Sequence, residues 1–186
     1  MTSAFLGLGA NIGNREENLR LALRWLSRAC RVVAASSLYR SAAVVVEGAE
    51  PGPDYLNAAC EIETDLAPDE LLRFVKDIEY EMGRRPAERW APRIIDIDLL
   101  LYGDVVVSSA ALTVPHALLA ERNFVLVPLA ELAPGAMHPV AKRTIGELAE
   151  DVDFAGLEHL RGPEWAAGSS AKAADDDEDE LAAGER

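Results

Sequence analysis

From Ile94 to Leu101 the chain reads Ile-Ile-Asp-Ile-Asp-Leu-Leu-Leu, an aliphatic run broken only by Asp96 and Asp98. Such a run predicts a strongly apolar strand covering residues 94–102. Side chains two residues apart on a strand point to the same side, which places the two carboxylates within roughly 7 Å of each other. Two like charges in an apolar strand are costly unless a cation or hydrogen-bond donors compensate them. Mg²⁺ is the economical compensation, because it is a hard cation that takes one or two carboxylates and completes its shell with water and nucleotide phosphates. An isolated Asp-x-Asp more often faces solvent on a half-exposed strand. Here the apolar surroundings and a group of arginines just upstream favour the metal.

Those arginines lie between Arg84 and Arg93, where four guanidinium groups stand against one carboxylate, Glu88. Guanidinium binds phosphate bidentately and stays charged at any working pH. Pro86, Trp90 and Pro92 interrupt the run, as in a shaped loop able to fold over a ligand. Arg84 and Arg93 are the foremost phosphate-binding candidates and Arg89 a lesser one, while Trp90 is either a contact to the nucleotide or a hydrophobic anchor. The island is exceptional in an acidic chain. The net charge is −14, and six consecutive carboxylates occupy positions 175–180. From Gly162 to Arg186 there are eight acids and two bases, so residues 1–161 still carry −14 − (−6) = −8. That sign disfavours a general nucleic-acid binder.

The rest of the chain supplies the partners of the central strand. Residues 4–9 and 55–64 read as strands, the second with Leu56, Ala58, Cys60 and Ile62 alternating against Tyr55, Asn57, Ala59 and Glu61. Asn14 with Glu17 resembles a capping box ahead of a helix over 15–30, and Pro68 and Gly83 bracket a second helix. Val32 to Tyr39 predicts one strand, residues 41–54 a long loop, and Gly103-Asp104 a hairpin into Val105–Val107. Further helices are expected over 123–133 and 144–151. The order is β-α-β-β-α-β, an α+β fold with a ferredoxin-like core extended by extra strands and helices around an antiparallel-dominated sheet.

From Gly162 onward Ala, Gly, Ser and acids dominate. A folded domain over 1–161 and a disordered tail over 162–186 are therefore expected, and removal of 164–186 should leave stability nearly unchanged. No apolar run approaches the roughly 20 residues needed to cross a bilayer, and no signal-peptide pattern opens the chain, so a cytoplasmic protein is expected, with Cys30 and Cys60 as buried reduced thiols.

Tyr55 and Asn57 share the polar side of their strand, where a ring and a paired donor and acceptor suit a flat heteroaromatic ligand. Taken alone this is weak, since Tyr-x-Asn on a strand is more often structural. No P-loop or G-x-G-x-x-G motif occurs, and His116, His138 and His159 lack zinc spacing.

Over roughly residues 3–150 the chain resembles the 6-hydroxymethyl-7,8-dihydropterin pyrophosphokinases of folate biosynthesis. The segments that carry the likeness are Leu8–Asn14, Ser37–Ser41, Pro53–Ala59, Ile78-Glu79 through Gly83-Arg84, Glu88–Asp98, Leu112–His116 and Arg122–Phe124. The resemblance implies that Asp96 and Asp98 hold two Mg²⁺ ions with ATP and that Arg84 and Arg93 bind its phosphates. Tyr55 and Phe124 would sandwich a pterin whose edge meets Asn57, with Asp96 beside it. Glu79, Trp90, Leu99, Thr113, His116 and Arg122 would lie on the nucleotide side. Departures are the stretch Ser41–Val46, which replaces a proline-containing segment, Ala117 in place of a common aromatic, and Ala10 where Ser is frequent.

The substrates implied are ATP and the hydroxymethyl-dihydropterin, acting on a monomer with no nucleic-acid or membrane partner. Rival classes are an Asp-x-Asp metal-dependent phosphohydrolase, whose motif usually follows the first strand, and a ferredoxin-like ligand- or RNA-binding module, which would want a basic face with stacking aromatics.

Overall fold

Thr2–Ala10 (β1) runs through the middle of a six-stranded antiparallel sheet in a computed structural model that describes residues 1–43, 52–85 and 92–169. On one side β1 pairs with Tyr55–Thr64 (β4) from Thr2↔Thr64 to Ala10↔Leu56, and on the other with Asp96–Tyr102 (β5) from Ala4↔Tyr102 to Gly9↔Asp96. Arg31–Ala35 (β2) and Leu38–Ser41 (β3) both pair with β4. Helix α1 (Arg15–Leu26) connects β1 to β2, and α2 (Pro68–Glu81) connects β4 to β5. With β2 and β3 counted as one interrupted strand beside β4, this is the expected βαββαβ core.

After β5 come β6 (Val107–Ser108), β7 (Thr113–Val114), α3 (Asn123–Leu132), β8 (Met137–His138), β9 (Arg143–Thr144), α4 (Ile145–Ala149) and β10 (Leu157–Arg161). The last strand extends the sheet beyond β3.

Local chemistry explains the main helices. Asn14 Oδ1 accepts from the Glu17 N–H at 3.2 Å, one half of the expected capping box, and Pro68 opens α2 at a position where a missing N–H costs nothing. Gly83, at φ +98°, supplies the left-handed turn that stops α2 just before Arg84.

The sheet separates two apolar layers. Leu19, Leu23 and Leu26 of α1 and Leu71, Val75 and Ile78 of α2 pack on Leu6, Leu8, Ile62, Ile97 and Leu99. On the opposite face Val125, Leu126 and Leu129 of α3 and Ile145 and Leu148 of α4 cover Phe5, Ala59, Leu100 and Leu101. The register shifts between Phe5 and Leu6 opposite β5, so Leu100 and Leu101 both serve that second layer. The later helices therefore cover only part of the second face.

Three expectations change. The strand expected over Val32–Tyr39 is two, because Ala35↔Cys60 and Tyr39↔Asn57 leave four steps (39 − 35) facing three (60 − 57). The excess residue is absorbed at Ser36-Ser37, where the Ser36 N–H donates to the Ala59 carbonyl at 2.9 Å and Ser36 Oγ accepts from the Ala59 N–H at 2.9 Å. The hairpin expected at Gly103-Asp104 does not form. Gly103 turns at φ +50°, and β6 pairs with β7 rather than with β5.

The folded unit also continues past 161. Pro163–Ser169 forms a 3₁₀ turn, and Trp165 is 1% exposed in the α1–α2 layer, its indole N–H donating to the Ser36 carbonyl at 2.8 Å. Composition concealed this, because one large side chain anchors an otherwise small and polar segment. Residues 170–186, including the acidic run, lie outside the described residues. Among the described residues no helix is long and apolar enough to cross a membrane.

Candidate active site

At the N-terminal end of α3 the second face of the sheet opens into a cavity, and its floor is built by register. Asn57, Gly9 and Asp96 stand side by side across β4, β1 and β5, and Gly7 faces Asp98 in the next row. A Cβ on Gly9 would lie 3.7 Å from both Asn57 Oδ1 and Tyr55 Cδ1, so the missing side chain is what keeps the floor clear between them. The result is a cavity of about 370 Å³ lined by Tyr55, Asn57, Arg93, Asp96, Asp98 and Phe124. That size suits a small molecule.

At one end sits an aromatic and amide cluster. Asn57 is 4% exposed, and its Nδ2 donates to Ser41 Oγ at 3.0 Å and to the Tyr39 carbonyl at 3.4 Å. Both amide protons are thus used within the protein, which leaves Oδ1 to accept from a ligand. Burial pushes the Tyr55 hydroxyl above its usual range, and the nearby Asp96 charge adds to that while Arg93 and Arg84 oppose it. Tyr55 is therefore a neutral ring at working pH. Phe124, in the first turn of α3, reaches the same cavity, with the Arg122 guanidinium 5.7 Å from its ring centre.

The other end is a chain of alternating charges. Lys76 Nζ lies 3.0 Å from Glu79, Arg84 Nη1 lies 2.5 Å from Glu79 Oε1 and 2.6 Å from Asp96 Oδ1, and Arg93 pairs with the other oxygen of Asp96. Glu79 is 2% exposed and also accepts from the Ile97 N–H at 2.7 Å. Burial pushes its carboxyl up, against the pull of Lys76, the Ile97 N–H and Arg84. Burial opposes the charge on Arg93 as well, but Asp96 outweighs it and the group is held more firmly charged than usual. Both arginines are thus stationed on one carboxylate.

Asp96 and Asp98 are half-buried neighbours on β5, both facing the cavity. Among the described residues no group of three or more His, Cys, Asp or Glu gathers in metal-binding proximity. A carboxylate pair opening on a cavity is a donor set suited to Mg²⁺, whose remaining positions water and phosphate oxygens fill.

Of the residues nominated from sequence, Tyr55, Asn57, Arg93, Asp96, Asp98, Arg122 and Phe124 line this one cavity, and Arg84 joins it through Asp96. Others are placed differently. Leu99 is buried among the α1 and α2 side chains, and Glu79 is buried beneath Arg84. Thr113 is exposed on β7, while the half-buried His116 is fixed to β5 by its N–H on the Leu100 carbonyl at 3.0 Å. Trp90 and Arg89 lie outside the described residues. Ser41 and Asn11 received no role from sequence. For Asn11 the signal is a polar side chain set at the end of a buried strand, between Gly9 and Gly13.

Residues 5–134 match the model of the 7,8-dihydro-6-hydroxymethylpterin-pyrophosphokinase (HPPK) family. The chain belongs to this family. The 2-amino-4-hydroxy-6-hydroxymethyldihydropteridine pyrophosphokinase of Synechocystis is 43% identical over 152 residues, covering 81% of this chain and 76% of the relative. That of Aquifex aeolicus is 37% identical over 147 residues, covering 79% and 90% respectively. The mitochondrial folate synthesis bifunctional protein of Arabidopsis thaliana is 46% identical over 134 residues, 71% of this chain but 24% of that protein. Among solved structures, a Plasmodium falciparum HPPK-DHPS triple mutant superposes with TM-score 0.65 at 16% identity. It covers 80% of this chain and 43% of that one, so this chain spans less than half of the Plasmodium protein. At that identity the likeness concerns the fold, and it agrees with the ferredoxin-like core described above.

Proposed function

We propose that the chain transfers the β- and γ-phosphates of ATP together to the hydroxymethyl group of 6-hydroxymethyl-7,8-dihydropterin, releasing AMP and the pterin diphosphate. The observation that carries this is the shared cavity, with a carboxylate pair and arginines at one end and Tyr55, Asn57 and Phe124 at the other.

Tyr55 and Phe124 flank the pterin ring, and Asn57 Oδ1 accepts from N–H donors on its edge. Because Ser41 and Tyr39 fix the Asn57 amide, a ligand with an acceptor at that point is rejected. Asp96 and Asp98 would hold two Mg²⁺ ions together with ATP, Asp96 also standing next to the pterin. When bound, Mg²⁺ would supply neutralisation of phosphate oxygens, easing attack on the β-phosphorus. Arg84 and Arg93 leave Asp96 for the phosphates, so each charge swaps one partner for another and none is buried unpaired. Glu79 holds Arg84 from beneath as it makes that exchange. Trp90, Thr113, His116 and Arg122 are assigned to the nucleotide side, whereas the Leu99 side chain, buried against α1 and α2, makes no contact there. Positioning and charge neutralisation supply most of the rate, and no side chain is assigned as an obligatory base.

Alanine at Tyr55 or at Phe124 tests the ring-binding end. Stacking of a heteroaromatic on an aromatic side chain is worth about 1–3 kcal/mol, so KM for the pterin should rise about tenfold or more in each variant. KM for ATP should stay within about twofold of the parent. An unchanged pterin KM in both variants would place the ring elsewhere.

A further inference from the structure

Asn11 follows the last residue of β1 and is 3% exposed. Its main-chain N–H donates to the Arg93 carbonyl at 3.0 Å, and its Oδ1 accepts from the Arg93 N–H at 2.6 Å. Together these grip both main-chain polar groups of Arg93 as a strand neighbour would. Its Nδ2 donates to the Pro53 carbonyl at 3.2 Å. Pro53 stands two residues ahead of Tyr55, and the next carbonyl, that of Asp54, accepts from Arg15 Nη1 at 2.6 Å. Asn18 adds a tie on the other branch, donating through Nδ2 to the Ile94 carbonyl at 3.1 Å.

One buried amide therefore joins segments 42 and 82 positions away in sequence. The first leads into the ring-binding strand, and the second carries the phosphate-binding arginine. Only an amide of this length offers an acceptor to Arg93 and a donor to Pro53 at once. Aspartate has no donor, and alanine has neither group.

We propose that Asn11 is a positioning residue that sets Arg93 at a fixed distance from Tyr55 and Asn57, so that the two ends of the cavity keep the spacing that transfer between bound substrates requires. This rests on the assignment of the two ends made above. A misplacement of about 1 Å between reacting groups costs on the order of 100-fold in rate, so a residue that touches neither substrate can still control turnover.

The two side-chain bonds can be broken separately. Asn11→Asp keeps the shape and the acceptor for Arg93 but turns a carboxylate oxygen toward the Pro53 carbonyl. With Mg²⁺ and a non-hydrolysable ATP analogue present, its Kd for the pterin should rise about tenfold, the penalty of one unmet buried hydrogen bond, while Kd for the analogue stays within about twofold. Asn11→Ala loses both bonds. It should weaken the pterin at least as much and also lower kcat, with both substrates saturating, by about tenfold or more. Should neither variant fold, Arg15→Met loosens the same entry to β4 by removing the bond to Asp54, and it should weaken the pterin several-fold without changing analogue binding. A purely structural role would lower the melting temperature of the Asn11 variants and leave both Kd values and kcat at parental levels, and that result overturns the proposal. So does unchanged pterin binding in Arg15→Met when the Asn11 variants do not fold. Failure of the parent itself to bind the pterin overturns the assignment of the ring-binding end, and this inference with it.

Discussion

Asparagine at Asp96 or at Asp98 is expected to lower turnover with saturating ATP and Mg²⁺ by about 100-fold or more, since under the proposed function each loses a charged metal ligand whose effect is largest in the transition state. The two substitutions should part company in stability. Sequence alone suggests that both would be neutral or stabilising without metal, because neutralising one of two crowded carboxylates relieves repulsion. The structure changes that for Asp96, which is paired with both Arg84 and Arg93. Asp96→Asn removes the charge those two guanidinium groups share, and a loss of about 1 kcal/mol is expected, modest because all three groups retain some contact with water. Among the described residues Asp98 has no such pair, and Asp98→Asn should hold or raise the melting temperature. Mg²⁺ with a non-hydrolysable ATP analogue should stabilise both variants less than the parent. Near-parental turnover together with a parental metal-dependent shift in both would remove these residues from the metal site.

Trp165→Ala should be among the most damaging single changes outside the site. The side chain is 1% exposed, lies in the layer formed by α1 and α2, and spends its N–H on the Ser36 carbonyl. The Trp165 carbonyl in turn accepts from Arg20 Nε of α1 at 2.7 Å. Truncating a buried Trp costs about 3–5 kcal/mol, which for a chain of this size lowers the melting temperature by roughly 10 °C. Ending the chain after residue 162 should do at least as much, whereas ending it after 169 should change the melting temperature by no more than about 2 °C, given the acidic, apolar-poor composition of 170–186. Equal melting temperatures for the two truncations would mean that Trp165 contributes nothing to the core.

The fold was legible wherever one period dominated. Leu19, Leu23 and Leu26 recur at helical spacing and Leu56, Ala58, Cys60 and Ile62 at strand spacing, and each set is buried as its spacing implies. What stayed hidden depended on contacts distant in sequence. The break at Ser36-Ser37 is set by a register difference against β4, and the 3₁₀ turn at 163 by the burial of Trp165 beside α1 and α2. That turn is held by Trp165, whose indole N–H donates to the Ser36 carbonyl and whose carbonyl accepts from Arg20 Nε, and neither feature leaves a periodic trace.

The candidate site divides in the same way. Asp96 and Asp98 could be paired from strand geometry alone, and the arginines from their local density. Phe124 and Arg122 came only from family resemblance, because an aromatic in the first turn of a helix carries no mark of the sheet it will face. Asn11 passed unassigned, since a residue whose partners lie 42 and 82 positions away shows its role only once the chain is folded.

The most direct test of diphosphate transfer is to incubate the protein with ATP, Mg²⁺ and 6-hydroxymethyl-7,8-dihydropterin and to identify the nucleotide released. The expected products are AMP and the pterin diphosphate in equal amounts, formed only when the pterin is present. ADP with a pterin monophosphate, or phosphate released from ATP without the pterin, would contradict attack on the β-phosphorus.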